Sequence, residues 1–261
     1  MSINNARAIP DSVDQLASTG VVHLPALCTD LFVQRILQVS QRRIREIMAA
    51  LGNREIGIGS AAGYDEIVQR SPGRWDLPIT PEQFSTRDKD LPWWPLVAAV
   101  LGEDAEHSFS GVVFSEPGSP AQCWHIDSPH LDAEPLPPHA LNIMVALHDI
   151  PMDMGPTEIA LGSHVLSNHL RNPGLVRDEL VYQHAGTSPD VLVEGTDRHT
   201  PACRADALAA GSCLVFDDRI MHRGLANHSA RKRYVAYFAY RKNAYAENTH
   251  FEARRSVFAD D

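Results

Sequence analysis

The sequence lacks long apolar runs and paired cysteines, and each absence excludes a class of protein. No stretch approaches the roughly 20 apolar residues that a membrane-spanning helix requires. The first residues, Met1 to Asn5, show no basic flank followed by an apolar segment, so we expect no signal peptide. No CxxC pair occurs, which argues against structural zinc and a disulfide framework; the four cysteines are Cys28, Cys123, Cys203 and Cys213. We therefore expect a soluble cytoplasmic protein with reduced thiols and no membrane partner.

Basic residues are also few, at 23 Lys and Arg against 33 Asp and Glu, which gives a formal net charge of −10. The densest basic cluster, Arg42 to Arg45, lies on a predicted helix, where it is typical of a solvated face. With 261 residues and 44% hydrophobic content, the chain can build one large core. These features predict a single domain over residues 1–261 that acts on a small molecule, with no nucleic-acid partner. They leave the oligomeric state open.

Helical signals dominate the first 104 residues. Asp11 is placed to cap a helix over residues 12–19, and residues 21–25 have the composition of a short strand. Thr29 precedes a run with helical periodicity that extends to Leu51, and Gly52 follows it. Residues 95–101 indicate one more short helix. The segment between, residues 52–92, is irregular in pattern, so we expect loops there, and we expect residues 55–92 to contribute to the mouth of a pocket.

From His107 onward the pattern changes to short apolar runs separated by turn residues. The clearest runs cover residues 109–114, 141–147, 213–216 and 234–240. This order predicts a mainly β fold with flanking helices: a jelly-roll core over residues 105–242, with the helices of residues 1–104 packed outside. Residues 170–210 interrupt the strands and are rich in Asp, Arg, Pro and Gly. We expect an insertion there that acts as a lid or mobile loop.

A His-x-Asp triplet, His125-Ile126-Asp127, is the first chemical signal. Residues two apart on an extended chain point to the same face, so an imidazole and a carboxylate can bind one metal ion together. A further histidine, His222, lies in the segment Met221-His222-Arg223-Gly224, after a strand that ends in two aspartates. Two histidines and one carboxylate on one face are the ligands of non-haem Fe(II) oxygenases, with coordination positions left open.

An arginine follows the third predicted ligand, His222, one predicted strand further along the chain. Arg233 comes eleven positions after His222, where the strand of residues 234–240 begins. A guanidinium can fork onto a carboxylate, so this arginine is placed to bind the distal carboxylate of 2-oxoglutarate. Arg231 is a second candidate for the same role, and spacing favours Arg233.

A fourth segment, Gly155-Pro156-Thr157 followed by Gly162-Ser163-His164, completes an ordered set of motifs. Together with the His-x-Asp triplet and the HRGxxN segment at 222–227, it resembles the phytanoyl-CoA dioxygenase family over roughly residues 105–242. The resemblance implies a double-stranded β-helix core that uses Fe(II), 2-oxoglutarate and O2 and releases succinate and CO2. It also implies that Gln122 and Thr157 contact the cosubstrate.

The resemblance implies oxidation of a C–H bond of a small molecule, in natural-product or amino-acid metabolism. Hydroxylation, desaturation, ring formation and epimerisation all stay open, as does the substrate. Related halogenases lack a carboxylate at the position of Asp127, so halogenation is disfavoured. Two alternatives use the same fold: a non-catalytic cupin-like binder of metal or a small molecule, and a protein hydroxylase. We expect His164 to hold the structure of its loop, and His130, His139 and His148 to lie at the surface or to surround the ligands; we expect none of the four to bind the metal.

Overall fold

The computed structural model describes residues 8–79, 88–168, 170, 202–243 and 255–259. Most of the predicted insertion, residues 171–201, lies outside the described residues. Its end, residues 202–210, contains a short strand. In the part of the chain that is described, no helix is both long enough and apolar enough to cross a bilayer.

Among the described residues of the N-terminal part, three α-helices form: α1 (Ala8–Thr19), α2 (Asp30–Leu51) and α3 (Trp94–Leu101). Helix α2 has the predicted bounds, because Thr29 Oγ1 accepts the amide of Phe32 at 3.3 Å and Gly52 ends the helix with φ of 59°. Helix α1 starts four residues earlier than predicted. Pro10 does not prevent this, since the amides of a first helical turn need no partner within the helix.

The large sheet has seven antiparallel strands in the order β1-β8-β5-β10-β4-β3-β2. Their bounds are β1 Val21–Leu24, β2 Val68–Ser71, β3 Arg74–Pro78, β4 Glu106–Ser115, β5 Ala140–Ala146, β8 Cys213–Asp217 and β10 Arg233–Arg241. The four predicted C-terminal runs correspond to β4, β5, β8 and β10. The prediction of loops throughout residues 52–92 was wrong, because β2 and β3 pair with each other and with β4.

A second sheet of three antiparallel strands faces the first, in the order β7-β6-β9. Its strands are β6 Thr157–Ala160, β7 Cys203–Ala205 and β9 His222–Gly224. One apolar cluster fills the space between the sheets, with Ile159 of β6 packed among Leu214, Phe216 and Val235 of the large sheet. The larger cluster covers the other face of that sheet, where Ile36 and Ile47 of α2 pack with Phe238. Helix α2 therefore packs against the large sheet through this cluster.

Candidate active site

The structure brings the three predicted metal ligands together. The backbones of His125 and His222 form an antiparallel bridge, with N···O distances of 3.1 and 2.9 Å. This bridge sets the two imidazoles side by side, with ring centroids 4.4 Å apart. Asp127, two residues after His125, joins them, and the ligand atoms of all three lie within 4.8 Å of one another. The alternation of an extended chain thus gives the arrangement that the spacing predicted.

Both imidazoles are oriented by backbone carbonyls. Nδ1 of His125 lies 2.9 Å from the Cys123 carbonyl, and Nδ1 of His222 lies 3.0 Å from the Ile220 carbonyl. A neutral ring that donates through Nδ1 carries its free lone pair on Nε2, and this lone pair can bind a metal. Burial, and then the neighbouring His222, lower the pKa of His125 to about 4, so this imidazole is neutral at physiological pH.

Asp127 is positioned by a side chain that the sequence analysis did not identify. Nδ2 of Asn142, on β5, donates to Oδ2 of Asp127 at 2.6 Å, while the Asp127 amide donates to the Asp218 carbonyl at 2.9 Å. The Asp127 side chain is 29% exposed, whereas that of His222 is 3% exposed. The ligand set is therefore sealed on the His222 side and open beside Asp127. No local pattern identifies Asn142, because it lies 15 positions from Asp127 and meets it only in the folded chain.

Arg233 lies at the start of β10 and is buried, at 3% exposure. Its Nη2 donates to Ser115 Oγ at 3.1 Å, while its Nε and Nη1 have no partner among the described residues. Burial lowers its pKa to about 10, which still leaves it cationic at neutral pH. Arg231, the alternative, is exposed at the surface. Of the two arginines, Arg233 therefore has the buried donors that a carboxylate ligand could satisfy.

A second buried arginine lies beside the first. Arg74 was predicted to lie in loops at the pocket mouth; the structure places it on β3 with no exposed surface. Its Nε donates to the same Ser115 hydroxyl at 2.9 Å. Burial, and then the charge of Arg233, lower the pKa of Arg74 to about 9. Among the described residues neither guanidinium forms an ion pair.

Gln122 and Thr157 both lie next to Gly224. Oε1 of Gln122 accepts the Gly224 amide at 2.9 Å, and Thr157 is the direct partner of Gly224 between β6 and β9. The Thr157 hydroxyl lies 3.5 Å from the sulfur of Met144. A Cβ on Gly224 would come within 3.1 Å of Nη2 of Arg233. The two predicted cosubstrate residues thus both adjoin Gly224, the residue of β9 that lies against Arg233.

The other histidines of this region have structural contacts. Nε2 of His164 is 3.2 Å from the Ala17 carbonyl of α1, and Nε2 of His130 is 3.3 Å from Ser167 Oγ. His148 accepts the Tyr234 amide at 2.9 Å. His139 lies 3.6 Å from Asp218. None of the four belongs to the ligand cluster of the described residues.

The donor set fits iron. Two imidazoles and one carboxylate on one face leave coordination positions open, and a buried guanidinium whose Nε and Nη1 have no partner among the described residues lies in the same core. A jelly roll with this site defines the class of non-haem iron oxygenases that depend on 2-oxoglutarate. The particular family follows from comparison: residues 18–235 match phytanoyl-CoA dioxygenase (PhyH), and the chain belongs to this family. Fe(II), 2-oxoglutarate and O2 are accordingly its cofactor and cosubstrates.

Solved structures of similar fold agree. The carbocyclase SnoK from nogalamycin biosynthesis, described as non-haem and alpha-ketoglutarate dependent, is 21% identical, with a TM-score of 0.58 over 92% of this chain and 85% of SnoK. HygX from Streptomyces hygroscopicus, with nickel and 2-oxoglutarate bound, is 16% identical, with a TM-score of 0.59 over 96% of both chains. The epimerase SnoN, in complex with Fe3+, alpha ketoglutarate and nogalamycin RO, is 18% identical, with a TM-score of 0.54 over 91% and 85%. At these identities the likeness establishes the fold, and the predicted jelly roll is confirmed.

Proposed function

We propose that this protein oxidises a C–H bond of a small polar molecule, with His125, Asp127 and His222 as the iron ligands. The observation that carries the proposal is their convergence on one site, which is closed beside His222 and open beside Asp127. Bound there, Fe(II) would couple the oxidative decarboxylation of 2-oxoglutarate to oxidation of the substrate. The protein supplies the ligand geometry and the position of each reactant.

Arg233 binds the distal carboxylate of 2-oxoglutarate in this proposal. Its Nε and Nη1 are buried donors without a partner among the described residues, and such donors are costly unless a ligand satisfies them. A guanidinium offers a carboxylate two parallel N–H groups. Gln122 and Thr157 both adjoin Gly224, which lies against this arginine, and in this proposal they border the bound cosubstrate.

The region around the proposed substrate is polar. Tyr237 lies on β10, on the same face of the sheet as Asn142, which binds Asp127. The Tyr237 hydroxyl donates to Oδ1 of Asp76 at 2.8 Å. Asp76 is paired with Arg70, whose Nη2 lies 2.7 Å from Oδ2, and Arg70 also donates to Ser60. Burial, and then the charge of Asp76, raise the pKa of Tyr237, so its hydroxyl stays protonated. Its oxygen can then accept a hydrogen bond from a substrate.

The reaction type is proposed from relatives of the same fold. SnoK is described as a carbocyclase and SnoN as an epimerase, both in nogalamycin biosynthesis. We place this protein with such tailoring enzymes, in which the protein decides how the substrate radical is held. Analysis of the product would distinguish the four possible reactions, which are hydroxylation, desaturation, ring formation and epimerisation.

Two other functions would use the same fold. A cupin-like binder would need the metal ligands but would have no use for a buried Arg233 whose Nε and Nη1 have no partner among the described residues. A protein hydroxylase would bind a peptide as its substrate. Peptides, and not small molecules, would then stimulate the formation of succinate. The buried arginine favours a 2-oxoglutarate enzyme over the binder.

The direct test is to load the purified protein with Fe(II) and to measure succinate from 2-oxoglutarate. We expect slow succinate formation by the protein alone and faster formation with a panel of hydroxylated natural products. Asp127→Ala is the negative control, because it removes one iron ligand. Succinate at the level of Asp127→Ala under every condition would contradict the proposal. Stimulation by peptides alone would favour the protein hydroxylase.

A further inference from the structure

Three side chains from adjacent strands lie in one row at the end of the large sheet. In the strand register, Ser115 of β4 is the direct partner of both Arg74 on β3 and Arg233 on β10. Direct partners point to the same face, and their Cβ atoms lie about 5 Å apart. The serine hydroxyl therefore has a guanidinium on each side.

The Ser115 hydroxyl can act only as a donor toward any further group. Its oxygen accepts Nε of Arg74 at 2.9 Å and Nη2 of Arg233 at 3.1 Å, which uses both of its lone pairs. Its own hydrogen has no acceptor among the described residues, and the serine has no exposed surface. A buried O–H group in this state needs an acceptor.

Arg74 is fixed by the chain around it. Its Nη2 donates to the Leu225 and Pro120 carbonyls at 3.0 and 3.4 Å, and its Nη1 to the Gly224 carbonyl at 3.4 Å. With the bond from Nε to Ser115, four hydrogen bonds hold the Arg74 guanidinium, so it cannot turn toward another partner. The free donors of this row are then Nε and Nη1 of Arg233 together with the Ser115 hydroxyl.

The row also carries two positive charges and, among the described residues, no negative charge paired with either. Two adjacent buried cations repel each other, and an anion bound between them would relieve that cost. We infer that Ser115 donates to the distal carboxylate of 2-oxoglutarate beside Arg233, and that Arg74 is the positioning residue that holds this hydroxyl and adds a second cation. This inference rests on the proposed function, which supplies the cosubstrate.

The test compares two 2-oxo acids that differ at the distal end. 2-Oxobutyrate keeps the chelating head of 2-oxoglutarate and lacks the second carboxylate. Fe(II)-loaded protein is titrated with each acid without oxygen, and the charge-transfer absorption of the chelated 2-oxo acid reports the Kd. The selectivity is the ratio of the two Kd values. This ratio reports only the interactions of the distal carboxylate, because both acids bind the iron through the same 2-oxo acid group.

We expect Ser115→Ala and Arg74→Gln each to lower the selectivity about tenfold or more, as for a lost hydrogen bond to a charged group. The Kd of 2-oxobutyrate should be unchanged. Arg54→Gln is the matched control, since Arg54 also donates to three backbone carbonyls but lies outside the site. It should leave the selectivity unchanged.

Equal weakening of both acids in the Ser115 and Arg74 variants would overturn the inference, because it would indicate only a structural role. Unchanged selectivity in both variants would overturn it too. Either result leaves the proposed function standing, provided that the wild-type protein binds 2-oxoglutarate. Failure of the wild-type protein to give the charge-transfer band would instead overturn the proposed function and, with it, this inference.

Discussion

The two ends of the site are built in opposite ways. At the metal end, the ligands come from an extended loop and the short strand β9, and Asp127 is 29% exposed. At the anion end, three long or paired strands bring Arg74, Ser115 and Arg233 into one row, each at most 3% exposed. The open end is built around the local pair His125 and Asp127, which the distant His222 completes, whereas every member of the sealed end comes from a different strand.

This difference suits the two tasks. The metal end has to admit oxygen and substrate, so part of its surface faces solvent. The anion end has to hold a charged group of fixed position, and electrostatic interactions are stronger where water is excluded. We therefore expect changes at the metal end to abolish chemistry, and changes at the anion end to weaken cosubstrate binding with chemistry retained.

The largest effect is expected at the open end. Asp127→Ala removes the carboxylate from the ligand set and leaves two imidazoles, which should reduce iron binding and bring succinate formation to background. The measurements are iron content after desalting and succinate by chromatography. Asp153→Ala is the matched control, because Asp153 is an exposed acid outside the ligand cluster. Full succinate formation by Asp127→Ala would show that iron binds elsewhere.

At the sealed end, Arg233→Met should raise the Kd of 2-oxoglutarate on the order of 100-fold or more, since it removes a buried charged partner of the ligand. Iron content should stay at the wild-type level. Anaerobic titration of the iron-loaded protein measures the first quantity, and metal analysis measures the second.

The matched control for this change is Arg231→Met, two residues away and exposed. It should leave the Kd unchanged, because solvent already satisfies that guanidinium. If the Arg231 variant lost affinity and the Arg233 variant did not, the assignment of the two arginines would be reversed.

The same contrast explains what could be predicted from the sequence. His125 and Asp127 are recognisable because two residues of spacing is enough to place both on one face. His222 and Arg233 are recognisable from their order along the chain and from the family resemblance. The helix α2 has local signals at both ends, Thr29 and Gly52, and its bounds were predicted correctly.

Arg74 and Ser115 have no such local signal. They are 41 residues apart and meet only because β3 and β4 pair in one register. Strand β3 also reverses the usual pattern, since its inward residues Arg74 and Asp76 are charged and buried. Apolar alternation therefore fails to indicate a strand there. Such reversal is expected where a site, and not the core, fixes the side chains.

A smaller effect is expected at Asn142, which holds a metal ligand and does not contact the row of Arg74, Ser115 and Arg233 in the strand register. Asn142→Ala removes the amide that holds Oδ2 of Asp127. Loss of such a group beyond the ligands costs about 10- to 100-fold in metal affinity. We expect that loss for Fe(II), measured by competition with a chelator, while the selectivity for 2-oxoglutarate over 2-oxobutyrate is retained.

Ser110→Ala is the control, since Ser110 is a buried hydroxyl of the same sheet that donates to the Ile79 carbonyl. It should change neither quantity. A loss of selectivity in Asn142→Ala would mean that the two ends of the site do not act separately.

The smallest effect is expected where the two ends meet. Gly224 lies two residues after His222 on β9, and a Cβ there would lie 2.9 Å from Oε1 of Gln122 and 3.1 Å from both Nη2 of Arg233 and Cζ of Arg74. All three atoms lie near the ends of long side chains and none is backbone, so Gly224→Ala should displace them by a small distance and not unfold the protein. We expect the Kd of 2-oxoglutarate to rise several-fold, roughly 1 kcal/mol, with iron affinity unchanged. Gly57→Ala, which meets Ala62 at a similar 2.8 Å outside the site, is the control for crowding alone. If iron affinity fell together with cosubstrate affinity, strand β9 would couple the open end to the sealed end.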